Sequence, residues 1–497
     1  MLAKALLPFC LCRAHEETFW RSSFPQTLDI IFISVIIPIT MKIQLSDHFT
    51  YKRLLRFVAA PVFMMIFLSV YSVVDGIFVS RFAGETQFTA VNFIYPVIMV
   101  LGAVGFMFGA GGTAIVSKTL GEGDREKANS YFTVIVLFTA ALGVVLALVG
   151  VFAVGPIAKL LGAEGEMLNY CRTYAQIIVA GLPFFMVQNL FQSFFSTAEK
   201  PKLGFLFTVI SGVTNIILDA LFVAVFKWGI EGAAIATLIS QIVGGVAPVF
   251  YFLRTNGSLL KFVRPKWNGK VILQSCTNGS SELLGNVSMS LVSMLYNAQL
   301  LKIAGESGVA AFGVIMYVQF VFVAIFIGYC IGTAPIISFN YGSGNRAELQ
   351  NVFKKVIVMV TITGLAMFAL AFGLSKPIGY LFFPHNATLR GMTERGMVLY
   401  SLCFLICGFN MFGSSFFTAL NNGLISAILS FGRTLVFQLV CIFVLPIFFK
   451  LDGIWISTAV AELLSLILTV IMIFANNRRY HYLDKIQPAS THSDNPE

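Results

Sequence analysis

The chain has 497 residues, of which 57% are hydrophobic and only 11% are charged. About a quarter of the residues in soluble domains are charged, so this composition excludes a soluble globular protein. Apolar runs recur along most of the chain, and about 20 such residues suffice for one helix to cross a bilayer. The sequence therefore predicts an all-α polytopic membrane protein.

The net charge of +10 does not indicate nucleic-acid binding. Lys and Arg lie in short loops between the apolar runs, where they orient membrane helices. The sequence has no GxxxxGK[ST] phosphate loop and no HExxH zinc motif, which argues against an ATP-driven pump and a zinc protease. The eight cysteines form no CxxC pair, and we interpret them as small buried apolar residues.

Residues 1–40 differ from the rest of the chain, because their one apolar run, 30–39, is too short to span a bilayer. We interpret them as an N-terminal extension from a misassigned start, with translation beginning at Met41. Twelve transmembrane helices are predicted after it, at 57–79, 92–117, 130–154, 170–194, 204–226, 232–253, 278–300, 313–338, 353–374, 397–418, 426–449 and 453–475.

An internal repeat organises these helices. At one ungapped offset of 221 residues, the segments 83–85, 121–125 and 230–232 map onto 304–306, 342–346 and 451–453. Each half has six spans, an even number, so the two repeats are parallel and the binding cavity is expected between them. The predicted domains are a six-helix lobe at 41–253, a linker at 254–270, a second six-helix lobe at 271–477 and a tail at 478–497.

Loop charges predict the orientation of the helices. Successive loops lie on alternate sides of the membrane. Most of the loop Lys and Arg residues lie on one side, which also carries the linker and the tail. By the positive-inside rule this side is cytoplasmic, with both termini inside.

Polar side chains at one depth in the first lobe mark a candidate ion site. Asp75 lies in the outer half of the first span, and Asn215 and Asp219 lie one turn apart on the fifth. Thr237 lies about one and a half turns into the sixth. Ionised groups in apolar spans are costly by about 3 kcal/mol and are functional by default. These four residues therefore predict a site for Na⁺ or H⁺.

The repeat provides an internal control for this prediction. The second-lobe counterparts of Asp75, Asn215 and Asp219 are apolar or aromatic: Tyr296, Val436 and Val440. The fold does not require the acids, although a buried polar cluster that fixes helix packing is the alternative explanation.

Four other polar residues lie within the predicted spans, and three of them, Glu282, Asn189 and Asn410, are candidates for the substrate cavity. Asn189 and Asn410 occupy equivalent positions in both halves, so we favour helix packing over a cavity role. Glu282, placed about one turn into the seventh span, could meet a cationic substrate or lie solvated in the membrane interface. For Glu462, opposite Gln241 in the repeat, a packing role is favoured.

These motifs resemble those of the multidrug and toxic compound extrusion (MATE) transporters, over Met41 to about Asn477. The resemblance includes Tyr71-x-x-x-Asp75-Gly76, the glycine-rich segment 111–124, Asn215-x-x-x-Asp219 and the segment 231–237. Glu282 in its Gly-Ser-Ser-Glu context is similar to the bacterial MepA-like branch. The resemblance implies a V-shaped pair of lobes and a first-lobe cation site at Asp75, Asn215, Asp219 and Thr237, flanked by Tyr71 and Tyr174.

Residues and resemblance together predict a multidrug efflux antiporter of the bacterial plasma membrane. It would export amphipathic, often cationic compounds in exchange for Na⁺ or H⁺, as a monomer, without another cofactor, without covalent chemistry and without nucleic acid. A flippase for lipid-linked or other amphiphilic metabolites is the nearest alternative, although few basic residues lie within the spans. A channel is a second alternative, disfavoured by the absence of a repeated ring of ligands.

Overall fold

A computed structural model describes residues 43–254 and 257–484, and within them all regular secondary structure is helical. The predicted extension at 1–40, the start at Met41 and most of the tail lie outside the described residues. The helices are α1 (Tyr51–Phe78), α2 (Glu85–Gly121), α3 (Arg125–Leu160), α4 (Gly165–Ala180), α5 (Leu182–Thr197), α6 (Pro201–Asp219), α7 (Gly229–Leu253), α8 (Gly269–Gly342), α9 (Arg346–Phe382), α10 (Ala387–Ser401), α11 (Cys407–Ala419), α12 (Gly423–Phe431) and α13 (Phe437–Tyr480). Short π-helical segments follow α1 (Val79–Ala83), α6 (Ala220–Val225) and α12 (Gly432–Val436), and a 3-10 turn, Leu402–Leu405, follows α10.

The described helices provide twelve membrane crossings. Nine helical segments are long and apolar enough to cross a membrane, and α4 and α5, bent by 57° at their junction, form a tenth crossing together. Two of these segments each join two helices at one non-helical residue, Gly305 in α8 and Lys450 in α13. Dividing the segments there gives twelve crossings, and the predicted all-α polytopic class is confirmed.

The seventh span starts earlier than the apolar pattern predicted. Helix α8 begins at Gly269, nine residues before the predicted start at residue 278, because Asn268 caps it by accepting a bond from the backbone N–H of Lys270 at 3.1 Å. Glu282 is consequently thirteen residues into its helix, about 20 Å along the axis. The predicted depth of about one turn was wrong.

Glycines bring the two lobes into contact near the side of the molecule where α1 begins. We call it the basic side, because it carries the set of loops that is rich in Lys and Arg. A Cβ added to Gly279 of α8 would lie 1.9 Å from the carbonyl oxygen of Met107 in α2. Gly279 also contacts Gly111 of α2, and the equivalent pair in the repeat is Val58 of α1 and Gly332 of α8, where a Cβ added to Gly332 would lie 2.9 Å from a valine methyl group. No larger residue fits where two backbones approach this closely.

A third contact joins two positions that the repeat makes equivalent. An added Cβ on Gly121 would lie 2.1 Å from the carbonyl oxygen of Phe339, and one on Gly342 would lie 2.1 Å from that of Lys118. Equivalent residues meet each other only near a two-fold axis, so these glycines lie close to the pseudo-two-fold that relates the halves.

The linker is bound along helix α3 of the first lobe. The backbone N–H groups of Lys261 and Val263 donate to Asn129 Oδ1 at 2.9 Å and to Thr133 Oγ1 at 3.1 Å. The ring of Phe262 stacks on that of Phe132 with centroids 5.0 Å apart. Side chains of α3 thus replace the water that would otherwise bond this extended backbone.

The segment before α1 is held by Glu348 in the first turn of α9. The Glu348 carboxylate is buried and accepts bonds from the backbone N–H of Phe49 at 2.8 Å and from Asn351 Nδ2 at 2.8 Å. It also lies 2.6 Å from His48 Nδ1. Glu348 therefore connects the chain entering the first lobe to the second lobe.

Replacing Glu348 with Ala is expected to lower stability, because the buried Phe49 N–H and the partly buried Asn351 amide lose their acceptor, at a cost of up to about 1–3 kcal/mol each. We expect a clearly lower melting temperature for the detergent-solubilised protein. Glu126→Ala is the matched control, since Glu126 lies in the first turn of α3 but is exposed. Equal melting temperatures for the two variants would show that the Glu348 contacts contribute nothing.

Candidate functional site

Three helices of the first lobe bring the four predicted ion-site residues together. Asp75 lies in the last turn of α1, Asn215 and Asp219 lie on α6, and Thr237 lies on α7. Asn215 Nδ2 donates to Thr237 Oγ1 at 3.4 Å. The carboxyl groups of Asp75 and Asp219 lie close enough to interact electrostatically, and neither Asp219 oxygen accepts or shares a hydrogen bond.

The site has more oxygen acceptors than donors. Asp219 is completely buried and Asn215 is 1% exposed. Asp75 Oδ1, Asn215 Oδ1 and both carboxylate oxygens of Asp219 are buried and accept no hydrogen bond. Buried polar atoms are almost always satisfied in proteins, and an unpaired one costs about 1–3 kcal/mol. Four unpaired oxygens together therefore define a site that a cation would complete.

Both acidic residues adjoin a π-helical segment. The segment Ala220–Val225 starts directly after Asp219, and Val79–Ala83 starts four residues after Asp75. A π-turn interrupts the regular hydrogen-bond ladder of an α-helix and is frequent at functional sites. Here the two segments place irregular backbone beside each carboxylate.

Three tyrosines lie close enough to the carboxyl pair to interact with it electrostatically. Tyr71 lies one turn before Asp75, and Tyr174 of α4 is buried. Both interact electrostatically with Asp75 and Asp219, so the two flanking residues implied by the resemblance lie at the site. Tyr95 of α2 also interacts with Asp75. Sequence reasoning missed Tyr95, because its only distinguishing signal is the proline that follows it.

The equivalent place in the second lobe is neutral and fully bonded. Tyr296 stands where the first lobe has Asp75, and its hydroxyl donates to Gln438 Oε1 at 3.0 Å. The same hydroxyl lies 2.9 Å from Thr458 Oγ1, the counterpart of Thr237. The fold therefore packs this position well without acids, and of the two equivalent positions only the one in the first lobe has unpaired acceptors.

The three residues considered for the substrate cavity lie in different environments. Asn410 is tied into the second lobe: its Nδ2 donates to Glu462 Oε2 at 2.6 Å, and its Oδ1 accepts from Thr469 Oγ1 at 3.1 Å. Asn189 is buried in α5, and its Nδ2 has no partner. Glu282 is exposed and lies away from the first-lobe acids, with Arg433 as the charged group acting on it.

The fold and the site together define a class of protein. A polytopic helical membrane protein built from two similar lobes, with a pair of buried carboxyl groups without donors in the first, has the architecture of a secondary transporter.

The family follows from the sequence match. The MatE family model matches residues 61–221 and again 283–444, once in each lobe. The chain therefore belongs to the MatE family.

Relatives of known name are similar over most of the chain. The multidrug export protein MepA of Staphylococcus saprophyticus is 25% identical over 415 residues, which cover 82% of this chain and 89% of that protein. MepA of Staphylococcus aureus strain MRSA252 is 24% identical over 429 residues, which cover 85% and 93% of the two chains.

Solved structures show the same fold. A multidrug resistance MATE family transporter in an outward-facing conformation superposes with a TM-score of 0.82 at 22% identity, covering 89% of this chain and all of that one. A MOP superfamily transporter from Pyrococcus furiosus Vc1 gives a TM-score of 0.81 at 22% identity, covering 90% of this chain and all of that one.

Proposed function

We propose that this chain is a multidrug efflux antiporter that exports amphipathic, often cationic compounds in exchange for Na⁺ or H⁺. The family and the MepA relatives support export of drugs. The observation that supports coupling to a cation is the set of four buried acceptor oxygens without donors on Asp75, Asn215 and Asp219. A Na⁺ ion would take such oxygens as ligands, and protons would turn the carboxyl oxygens into donors.

The site provides a reason for exchange. When it is empty, two interacting carboxyl groups remain unpaired in an apolar lobe, which is unfavourable. A cation that enters from outside relieves this cost and favours the state that releases drug outward. Drug binding from inside favours the state that loses the cation, and the coupling between the two ligands is reciprocal.

The remaining features of the proposal follow from this role. Transport moves the compound without making or breaking a covalent bond, so the chain is not an enzyme. It works as a monomer in the bacterial plasma membrane, with the basic side and both termini in the cytoplasm. Its partners are small molecules and the lipid bilayer, and its one cofactor-like ligand is the coupling ion.

Transport by purified protein in proteoliposomes tests this function. We expect movement of ethidium against its gradient when either a Na⁺ or a H⁺ gradient is imposed alone, and none without a gradient. The gradient that drives transport identifies the ion. Ethidium flux that runs only down the ethidium gradient and does not respond to Na⁺ or H⁺ gradients would indicate a channel. Movement of a labelled lipid-linked sugar without ethidium transport would indicate the flippase.

A further inference from the structure

Helix α8 carries an exposed, mostly polar stripe on the face that meets the first lobe. At its start, Ser275 and Gly279 contact α2 through backbone atoms. Glu282 follows on the same face, within about 60° of both residues on a helical wheel. The stripe continues with Asn286, Met289, Ser293 and Asn297, within about 80° of arc, and all of these except the half-buried Asn286 are exposed.

The opposite face of α8 shows that this stripe is not turned toward lipid. Leu273 and Leu291, about 180° from Glu282, are 65% and 49% exposed, as expected for side chains that face hydrocarbon. A carboxylate and two asparagines on the other face need water. The stripe therefore lines the space between the lobes, and Glu282 lies where the contact between the lobes ends and the open space begins.

The repeat shows that only the second lobe has a carboxylate at this position. The first-lobe positions equivalent to Glu282, Asn286 and Met289 are Pro61, Met65 and Leu68 on α1. The charged wall is thus formed by the second lobe, whereas the candidate ion site lies inside the first.

An ion pair behind Glu282 leaves its charge unmatched. Arg433 lies in the π-helical segment Gly432–Val436, and its Nε donates to the two carboxylate oxygens of Glu462 at 2.8 and 3.1 Å. Glu462 is 3% exposed and also accepts from Asn410. Glu462 stays paired with Arg433, because it is buried and Asn410 fixes its position with a second hydrogen bond. A buried ion pair of this kind is costly to break. Ser430, three residues before Arg433, donates to the carbonyl oxygen of Ser281 at 2.8 Å, so the Arg433–Glu462 pair lies close to the part of α8 that carries Glu282. Together the three side chains have one excess negative charge.

We propose that Glu282 binds the positive group of a monocationic amphiphile, and that Glu462 is a positioning residue that keeps Arg433 from neutralising Glu282. This inference rests on the proposed function and assigns its substrate anchor. It places the drug anchor and the ion site on different lobes, so the two ligands couple through movement of the lobes and do not compete for one carboxylate.

Equilibrium binding to the detergent-purified protein tests the anchor without any ion gradient. We expect Glu282→Gln to weaken ethidium binding by at least about tenfold, which corresponds to about 1.4 kcal/mol, and to leave binding of the uncharged amphiphile Nile red within about twofold. Glu306→Gln is the control, because Glu306 is an exposed acid of α8 outside the stripe. Equal loss for both probes, or no loss for ethidium, would overturn the assignment.

The positioning role of Glu462 is tested by a double-mutant cycle. Glu462→Gln releases Arg433 to pair with Glu282, so ethidium binding should fall while Nile red binding is retained. In the Glu282→Gln background the same change should have little further effect on ethidium. Additive losses would show that Glu462 acts only on stability. Normal gradient-driven transport with unchanged ethidium binding in Glu282→Gln would refute the anchor and leave the antiporter proposal intact, whereas a wild-type protein that binds neither probe would refute both.

Discussion

Asp219→Asn is expected to abolish gradient-driven export. The change keeps the shape of the side chain but removes a charge from a completely buried position, where losing one member of a charged cluster costs about 2–5 kcal/mol. A loss of 3 kcal/mol weakens cation binding by about 100-fold. Ethidium transport driven by the active gradient should fall to the background of empty proteoliposomes, and Asp75→Asn should behave in the same way.

The repeat supplies a control for this prediction at a position that is exposed, whereas Asp219 is buried. Val440 occupies the second-lobe position equivalent to Asp219, so Val440→Asn places the same amide in the lobe that we expect to carry no ion. It should retain most of the transport activity. Gradient-driven efflux at the wild-type rate in both aspartate variants would remove the first-lobe acids from the mechanism.

Gly279→Ala is expected to disrupt the contact between the lobes. The new methyl group would lie 1.9 Å from the Met107 carbonyl oxygen and 3.0 Å from the Gly111 nitrogen, and both atoms belong to backbone that has no rotamer with which to move away. Overpacking of this kind costs about 1–3 kcal/mol. We expect the closed contact on the basic side to be lost, with at least a tenfold (about 1.4 kcal/mol) decrease in transport.

Gly313→Ala separates this effect from a general loss of glycine in α8. Gly313 lies in the same helix, and an added Cβ there would meet nothing within 4 Å, so transport and melting temperature should stay close to those of the wild type. If Gly279→Ala transports as fast as Gly313→Ala, the lobes do not need this close approach during the cycle.

The helical class and the main ion-site residues could be predicted because both follow from burial. A run of apolar residues must form a helix in lipid, since every backbone group has to be bonded internally. An acid within such a run has few permitted environments, and for this reason Asp75 and Asp219 could be expected to meet. The repeat added an internal comparison, which showed before any coordinates that Tyr296 and Val440 can replace the acids.

Features that depend on neighbours across the lobe could not be predicted. The start of α8 at Gly269 is set by the Asn268 cap and not by hydropathy, so the depth of Glu282 was misjudged. The role of Tyr95 near Asp75 depends on how α2 passes α1, which the apolar pattern does not specify. The pairing of Arg433 with Glu462 joins residues 29 apart in sequence, and its geometry depends on a π-helical segment that composition does not indicate.

The glycine contacts near the pseudo-two-fold axis have a mechanical consequence. If the lobes rock about this contact, it acts as a fulcrum, and each group travels in proportion to its distance from it. Asp75 lies seventeen residues beyond Val58 along α1, an arm of about 25 Å, so a tilt of about 10° would carry it about 4 Å. Glu282, three residues beyond Gly279, would shift by less than about 1 Å. The proposed drug anchor would thus stay almost stationary while the ion site swings.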